Sequence, residues 1–157
     1  MELPGLDDGY IAGLFDGEGS VSIGIRRTKG EKVKNGTPGK TYIGYALVIQ
    51  ITNGYKPILD AVRAIYGGRV YKQSVYKGSR PCWVWNLRAQ ASRVFLTMVQ
   101  HYIHIKRAQV QLALEFIDLP YGSTEERQGY YEAMSALNGL RTHHKLVTVT
   151  DEGVAVE

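Results

Sequence analysis

The stretch Tyr10–Ser20, YIAGLFDGEGS, constrains the chain more than any other. It predicts a helix that stops at a pair of carboxylates. Asp7 or Asp8 is placed to cap the N-terminus by accepting orphan backbone N–H groups. Ile11, Leu14 and Phe15 recur at i, i+3 and i+4 and form one apolar stripe. Gly13 and Gly17, four apart, share a face without side chains, which lets a second backbone approach closely. Gly19 is expected to end the helix in a left-handed conformation. Asp16 and Glu18 lie in the last turn, where the negative end of the helix dipole disfavours acids. Folding alone would place Lys or Arg there. Two acids in that turn point to a positive partner from outside, of which a divalent metal is the simplest. The competing reading is an amphipathic core helix ending in two solvated acids.

Charge distribution points to the larger partner. The net charge of the 157 residues is only +4. Between Gly19 and Leu114, however, stand sixteen Lys and Arg against two acids, Glu31 and Asp60, a local net of +14. The flanks together carry −10. A basic middle between acidic ends is the footprint of a surface that faces a polyanion. The single cysteine, Cys82, excludes a disulfide framework within the chain and suits a reducing compartment. With no membrane-span pattern and no signal-peptide pattern, the expectation is an intracellular, non-secreted protein without a membrane partner.

The basic residues fall on strand-like segments. Gly19–Thr28 alternates strictly, with Val21, Ile23 and Ile25 inward and Ser20, Ser22, Gly24 and Arg26 outward. Lys29–Lys40 reads as a long loop. Tyr42–Thr52 alternates again, with Ile43, Tyr45, Leu47, Ile49 and Ile51 inward. A helix is predicted over Lys56–Tyr66, and a third strand over Arg69–Tyr76. A turn at Lys77–Pro81 leads to a fourth strand, Cys82–Arg88. There Trp83, Trp85 and Leu87 face inward, and Val84, Asn86 and Arg88 outward. Helices follow over Ala91–Ile103 and from Lys106. A last one, started by a Ser123/Glu126 capping box, should end near Asn138–Gly139. The fold class expected is α+β, an antiparallel sheet with helices on one face and a polar, basic face left open. Residues 1–139 form one domain and 140–157 a C-terminal tail. His143 and His144 lack a third ligand and read as tail residues.

At Ile11–Gly19, IAGLFDGEG closely resembles the signature of the LAGLIDADG homing endonucleases. The order helix, two strands, helix, two strands, helix resembles that family's αββαββα fold and saddle-shaped sheet. Tyr102–Ile117, YIHIKRAQVQLALEFI, resembles the segment in which the family carries a lysine at the start of a late helix. The likeness covers residues 8 to 138. It implies motif helices of two domains packed side by side, so that one motif in the chain implies a homodimer on a near-palindromic site of double-stranded DNA. It implies Glu18 as the metal-binding acid (the family's usual residue is Asp) and the Gly17 carbonyl as a contributor to the same shell. The cofactor implied is Mg²⁺. Asp16 falls where the family more often supports the helix end than the chemistry. Lys106 matches the basic residue near the scissile phosphate. Asn53 falls where the family places a polar, water-positioning group, and Lys56 offers a second basic group. Ile11, Gly13, Leu14 and Gly17 are the expected dimer interface.

Strand alternation, together with the family, selects Ser22, Arg26, Gln50, Arg69, Tyr71, Gln73, Asn86 and Arg88 as the DNA-facing side chains. Three functions fit a basic open sheet: a metal-dependent DNA endonuclease serving intron or intein homing, a maturase that binds intron RNA, and a non-catalytic DNA-binding regulator. A maturase could dispense with the Glu18 carboxylate, and a regulator would need neither Glu18 nor Lys106.

Overall fold

The computed structural model describes residues 5–30, 36, 39–74, 76–88 and 90–149, with side chains described up to 139. Helix α1, Asp8–Glu18, leads into β1, Gly19–Lys29, and β2, Thr41–Asn53. Then come α2, Lys56–Tyr66, β3, Arg69–Lys72, and β4, Trp83–Arg88. Helices α3, Ala91–Val99, α4, Arg107–Ile117, and α5, Thr124–Val149, complete the chain. The strands form one antiparallel sheet in the order β1-β2-β4-β3. The helices cover one face, as the alternation of β1 and β2 requires.

The N-cap of α1 is Asp7, whose carboxylate accepts the Tyr10 N–H at 2.7 Å. Asp8 instead accepts the Tyr66 hydroxyl at 2.9 Å, tying the start of α1 to the end of α2. Burial and that carboxylate push the Tyr66 phenol up to about 12. The core gathers on Phe95 of α3. Its ring lies 5.1 Å from Phe15 of α1, 5.2 Å from Tyr66 and 5.0 Å from Trp85 of β4. Trp85 is fully buried and donates its indole N–H to the Gly67 carbonyl at 2.8 Å, which satisfies its one polar atom.

Several expectations are corrected. Gly19 follows α1 in an extended conformation, φ −80°, not a left-handed one. Glycine is required there for space. A Cβ would stand 2.3 Å from the Phe15 ring and 2.5 Å from the Phe15 carbonyl oxygen. Ile25 and Ile43 are 40% and 50% exposed, because β1 and β2 run past the helical layer that buries Val21, Ile23, Leu47 and Ile49. Val84 and Asn86 do point to the open face, yet they are 3% and 8% exposed. They sit on an interior strand whose neighbours on β2 and β3 crowd over them.

Strand β3 ends at Lys72, although the Gln73 N–H still pairs with the Cys82 carbonyl at 2.9 Å before the turn at Gly78, φ 95°. The Ser123 hydroxyl donates to the Pro120 carbonyl at 2.7 Å and so shapes the turn before α5. Helix α5 does not stop near Asn138–Gly139 but continues to Val149. Part of the Lys29–Lys40 loop and residues 150–157 of the expected tail lie outside the described residues, as do the side chains of His143 and His144.

The space at Gly19 makes a test. Gly19→Ala should lower stability by about 1–3 kcal/mol, the usual cost of overpacking. Gly24→Ala, where a Cβ would meet only the Ala46 carbonyl oxygen at 3.9 Å, should stay within about 0.5 kcal/mol of wild type. Urea denaturation midpoints at constant m-value report both.

Candidate active site and nucleic-acid interface

The end of α1 is fixed from across the molecule. Asp16 is 8% exposed, and its carboxylate accepts three backbone N–H groups: His104 at 2.9 Å, Ile105 at 3.0 Å and Lys106 at 2.9 Å. These donors belong to the turn that leads into α4, and the last of them, Lys106, is the helix's N-cap. The Lys106 ammonium in turn donates to the backbone carbonyl of Asp16, at the C-terminal end of α1. A carboxylate thus sits at one helix's positive end and an ammonium at the other's negative end, each favoured by its dipole. Burial by itself raises the Asp16 pKa. The N–H groups of Ile105, His104 and Lys106, with the Lys106 charge, outweigh it and hold the carboxyl below its ordinary value. The acid that looked misplaced for its own helix is well placed for another.

Glu18 follows in the open. It is exposed, and its Oε2 accepts the Asn53 amide at 2.5 Å from the end of β2. The Asn53 Oδ1 accepts the Tyr55 N–H at 2.7 Å. That bond fixes which end of the amide is oxygen, so the amide nitrogen faces Glu18. Gly17 and Gly13 are exposed, and a Cβ on either would meet nothing within 4 Å. Lys56 does not join this group through a bond. Its ammonium pairs with Asp60 at 2.6 Å, one turn along α2, and lies 5.3 Å from the centre of the Trp83 ring.

The open face of the sheet is ordered in rows by strand register. Ser20, Gln50, Asn86 and Arg69 lie side by side across all four strands. Ser22, Val48 and Arg88 form the next row on one side, and Thr52, Val84 and Tyr71 the next on the other. Arg26 stands farther out, opposite Gly44. Gln50 donates to the Tyr71 hydroxyl at 3.3 Å. Arg69, Tyr71, Asn86 and Arg88 surround a cavity of about 550 Å³ beside Gly68. Gly68 has φ 88°, and a Cβ on it would stand 2.4 Å from the Asn86 carbonyl oxygen. The sequence matches no family profile and no curated protein. Solved structures do match. The archaeal intron-encoded homing endonuclease I-Vdi141I, complexed with DNA, superposes with TM-score 0.64 at 19% identity over 83% of this chain and 82% of that one. The homing endonuclease I-CvuI, in complex with its target and Ca, gives 0.62 at 18% over 83% and 80%. The LAGLIDADG homing endonuclease I-LtrWI, bound to target DNA, gives 0.61 at 17% over 85% and 44%.

The chain has the LAGLIDADG homing-endonuclease fold.

Within the LAGLIDADG fold the expected residues separate into three groups. Glu18, Gly17 and Asn53 come together at the end of α1. Seven of the eight expected DNA-facing residues, Ser22, Arg26, Gln50, Arg69, Tyr71, Asn86 and Arg88, share the open face, and Gln73 follows β3 as an exposed residue. Ser20 and Thr52, not among the expected contacts, stand in the same rows. Lys106 is 4% exposed, and its ammonium is bonded to the Asp16 carbonyl, one residue before Gly17. Ile11 is corrected. It is fully buried in the core of its own chain and has no surface to offer a second copy. Leu14 is half-buried, and the bare face of α1 is carried by Gly13 and Gly17 with the exposed Tyr10. The partners of Asp16 were not foreseen, although an acid at the wrong helix end signals donors elsewhere.

Among the described residues, no three His, Cys, Asp or Glu side chains cluster as a metal site. Asp16 is committed to backbone donors. What remains is one exposed carboxylate, Glu18, beside an exposed backbone at Gly17. Those are hard oxygen donors of the type Mg²⁺ takes, in a number that fits half a site.

The depressed Asp16 pKa sets a pH dependence. A carboxylate held below its unfolded value, about 3.9, contributes stability above that pH and loses it as pH falls through the folded value. Wild type should therefore lose stability more steeply below about pH 4 than Asp16→Asn does. At pH 7 the variant should be less stable by about 2–4 kcal/mol, since its amide turns a donor toward buried donors. Chemical denaturation across pH 3–7 measures both.

Proposed function

We propose that the protein is a metal-dependent, site-specific DNA endonuclease of the LAGLIDADG family, active as a homodimer on a long near-palindromic site in intron or intein homing. One observation carries the reading. An exposed acid, Glu18, held by Asn53, ends a helix whose adjacent face, at Gly13 and Gly17, is bare and open. A bare helix face accommodates a second helix at close backbone distance, and a second copy would bring a second Glu18 to the first. The basic, polar open sheet supports double-stranded DNA as the partner, with Arg, Asn and Gln at base edges. A DNA-binding regulator or an RNA maturase would have no use for a carboxylate oriented in this way.

In this reading Glu18 and the Gly17 carbonyl of each copy hold Mg²⁺, which when bound activates water and stabilises the leaving oxygen. The chain's own contribution is placement. Asn53 orients the Glu18 carboxylate, and the Asp16–Lys106 exchange fixes the turn that carries it. Lys106 acts through the backbone as a positioning residue. Lys56, paired with Asp60, stiffens the start of α2.

Glu18→Gln should retain DNA binding and lose Mg²⁺-dependent double-strand cleavage by a factor of at least about 10³, the scale of removing a metal-binding or charge-stabilising group at a reacting centre. Cleavage at wild-type rate would refute the assignment. Sedimentation of the full chain, free and on duplex DNA, should give a dimer mass, and a monomer in both states would rule out the shared site.

A further inference from the structure

A second cationic feature lies at the border of the open face, where β4 stops. Strand β4 ends at Arg88, paired with Val48, while β2 continues to Thr41 paired only with β1. The stretch of β2 beyond Val48 therefore borders a notch rather than another strand. The notch is a cavity of about 260 Å³. Arg26 and Arg88 enter it from the open face, Gln90 from the approach to α3, and Tyr45, Phe116 and Arg127 from the helical side. No acid lines it. Of the acids near that end of α4, Glu115 is bonded to Gln111 and Tyr130, and Asp118 to Arg93 at 2.6 Å. Arg127 lies 4.9 Å from the centre of the Phe116 ring and donates to the Leu119 carbonyl at 3.3 Å, which orients its guanidinium.

Three guanidiniums around one small cavity repel one another, and arginine cannot relieve that by losing a proton. A bound anion relieves it. The planar donor forks match a phosphate, and two of the three arginines, Arg26 and Arg88, stand on the open face of the sheet. We propose that the notch formed by Arg26, Arg88 and Arg127 seats a backbone phosphate of the bound duplex, and that Arg127, a helix residue outside the sheet, is a DNA-anchoring residue. The notch rests on the DNA-binding reading above and extends it from base edges to the phosphate backbone.

The test is affinity for a random-sequence duplex as a function of salt, read by fluorescence anisotropy on the full chain. Each phosphate contact contributes about 0.9 to the slope of log affinity against log salt. Arg127→Gln should weaken binding and reduce the slope by about that amount per protomer, and Arg127→Lys should restore most of the slope. Gln90→Glu, an exposed substitution that leaves the Phe116 stack untouched, should act in the same direction and covers the case in which Arg127→Gln fails to fold. Wild-type affinity and slope in both Arg127→Gln and Gln90→Glu would overturn the notch while leaving the reading face intact. Stabilisation by inorganic phosphate that Arg127→Gln abolishes, with duplex binding unchanged, would overturn DNA as the source of the anion. Failure of the wild-type chain to bind any duplex would overturn the DNA-binding reading itself, and the notch with it.

Discussion

The exchange between Asp16 and the start of α4 is the contact on which the site depends. It joins residues about ninety apart in sequence and satisfies two helix ends at once. Three N–H groups of the turn leading into α4, its N-cap among them, find a carboxylate, and a carbonyl that α1 cannot use finds an ammonium. Because the charged groups are buried, removing either partner would strand the other in a poor solvent. The turn Asp16–Gly17–Glu18 is consequently held at its first residue and left open at its last. That asymmetry produces one structural acid and one available acid two residues apart.

The rest of the fold serves the same presentation. Phe95 gathers α1, α2 and β4 onto α3, so the helix that ends at Glu18 and the strand that carries Asn86 meet through one shared ring. Gly19 lets β1 leave α1 without displacing Phe15, and β1 pairs with β2 so that Asn53 arrives beside Glu18. The sheet's register then spreads Ser20, Gln50, Asn86 and Arg69 across the open face. The open-face residues are placed by the sheet's backbone hydrogen bonds, and Glu18 by the Asn53 amide and the contacts of Asp16.

Much of this was legible in the sequence. The alternation of β1, β2 and β4 named the open face, and the register confirmed it row by row. The order of elements and the nonapeptide pointed to the LAGLIDADG fold, which the solved structures share. What periodicity could not show is depth. Ile43 and Ile25 have the parity of core residues and are exposed, because parity does not say where the helical layer ends. Asn86 has the parity of a surface residue and is nearly buried, because the crowding comes from strands distant in sequence. Ile11 looked equally suited to an interface and to the core, since one apolar stripe cannot say which neighbour it faces. The likeness to the family named Lys106, but nothing in the sequence places its ammonium on the Asp16 carbonyl of another helix. Arg127 escaped because it lies in an acidic flank whose net charge hid it.

In the proposed dimer the bare face of α1 meets a second α1, and each copy brings its Glu18 to the other's. The most direct measurement is oxidative cross-linking of Tyr10→Cys in a Cys82→Ser background, with and without duplex DNA. Tyr10 is 54% exposed beside Gly13 on the bare face, so the substitution leaves the protomer unstrained and the glycines free for close approach. The account predicts a covalent dimer across the two helices, and none from a cysteine placed at the exposed Tyr121 on the far turn. A chain that stays monomeric under oxidation, or that cross-links equally from both positions, would contradict it.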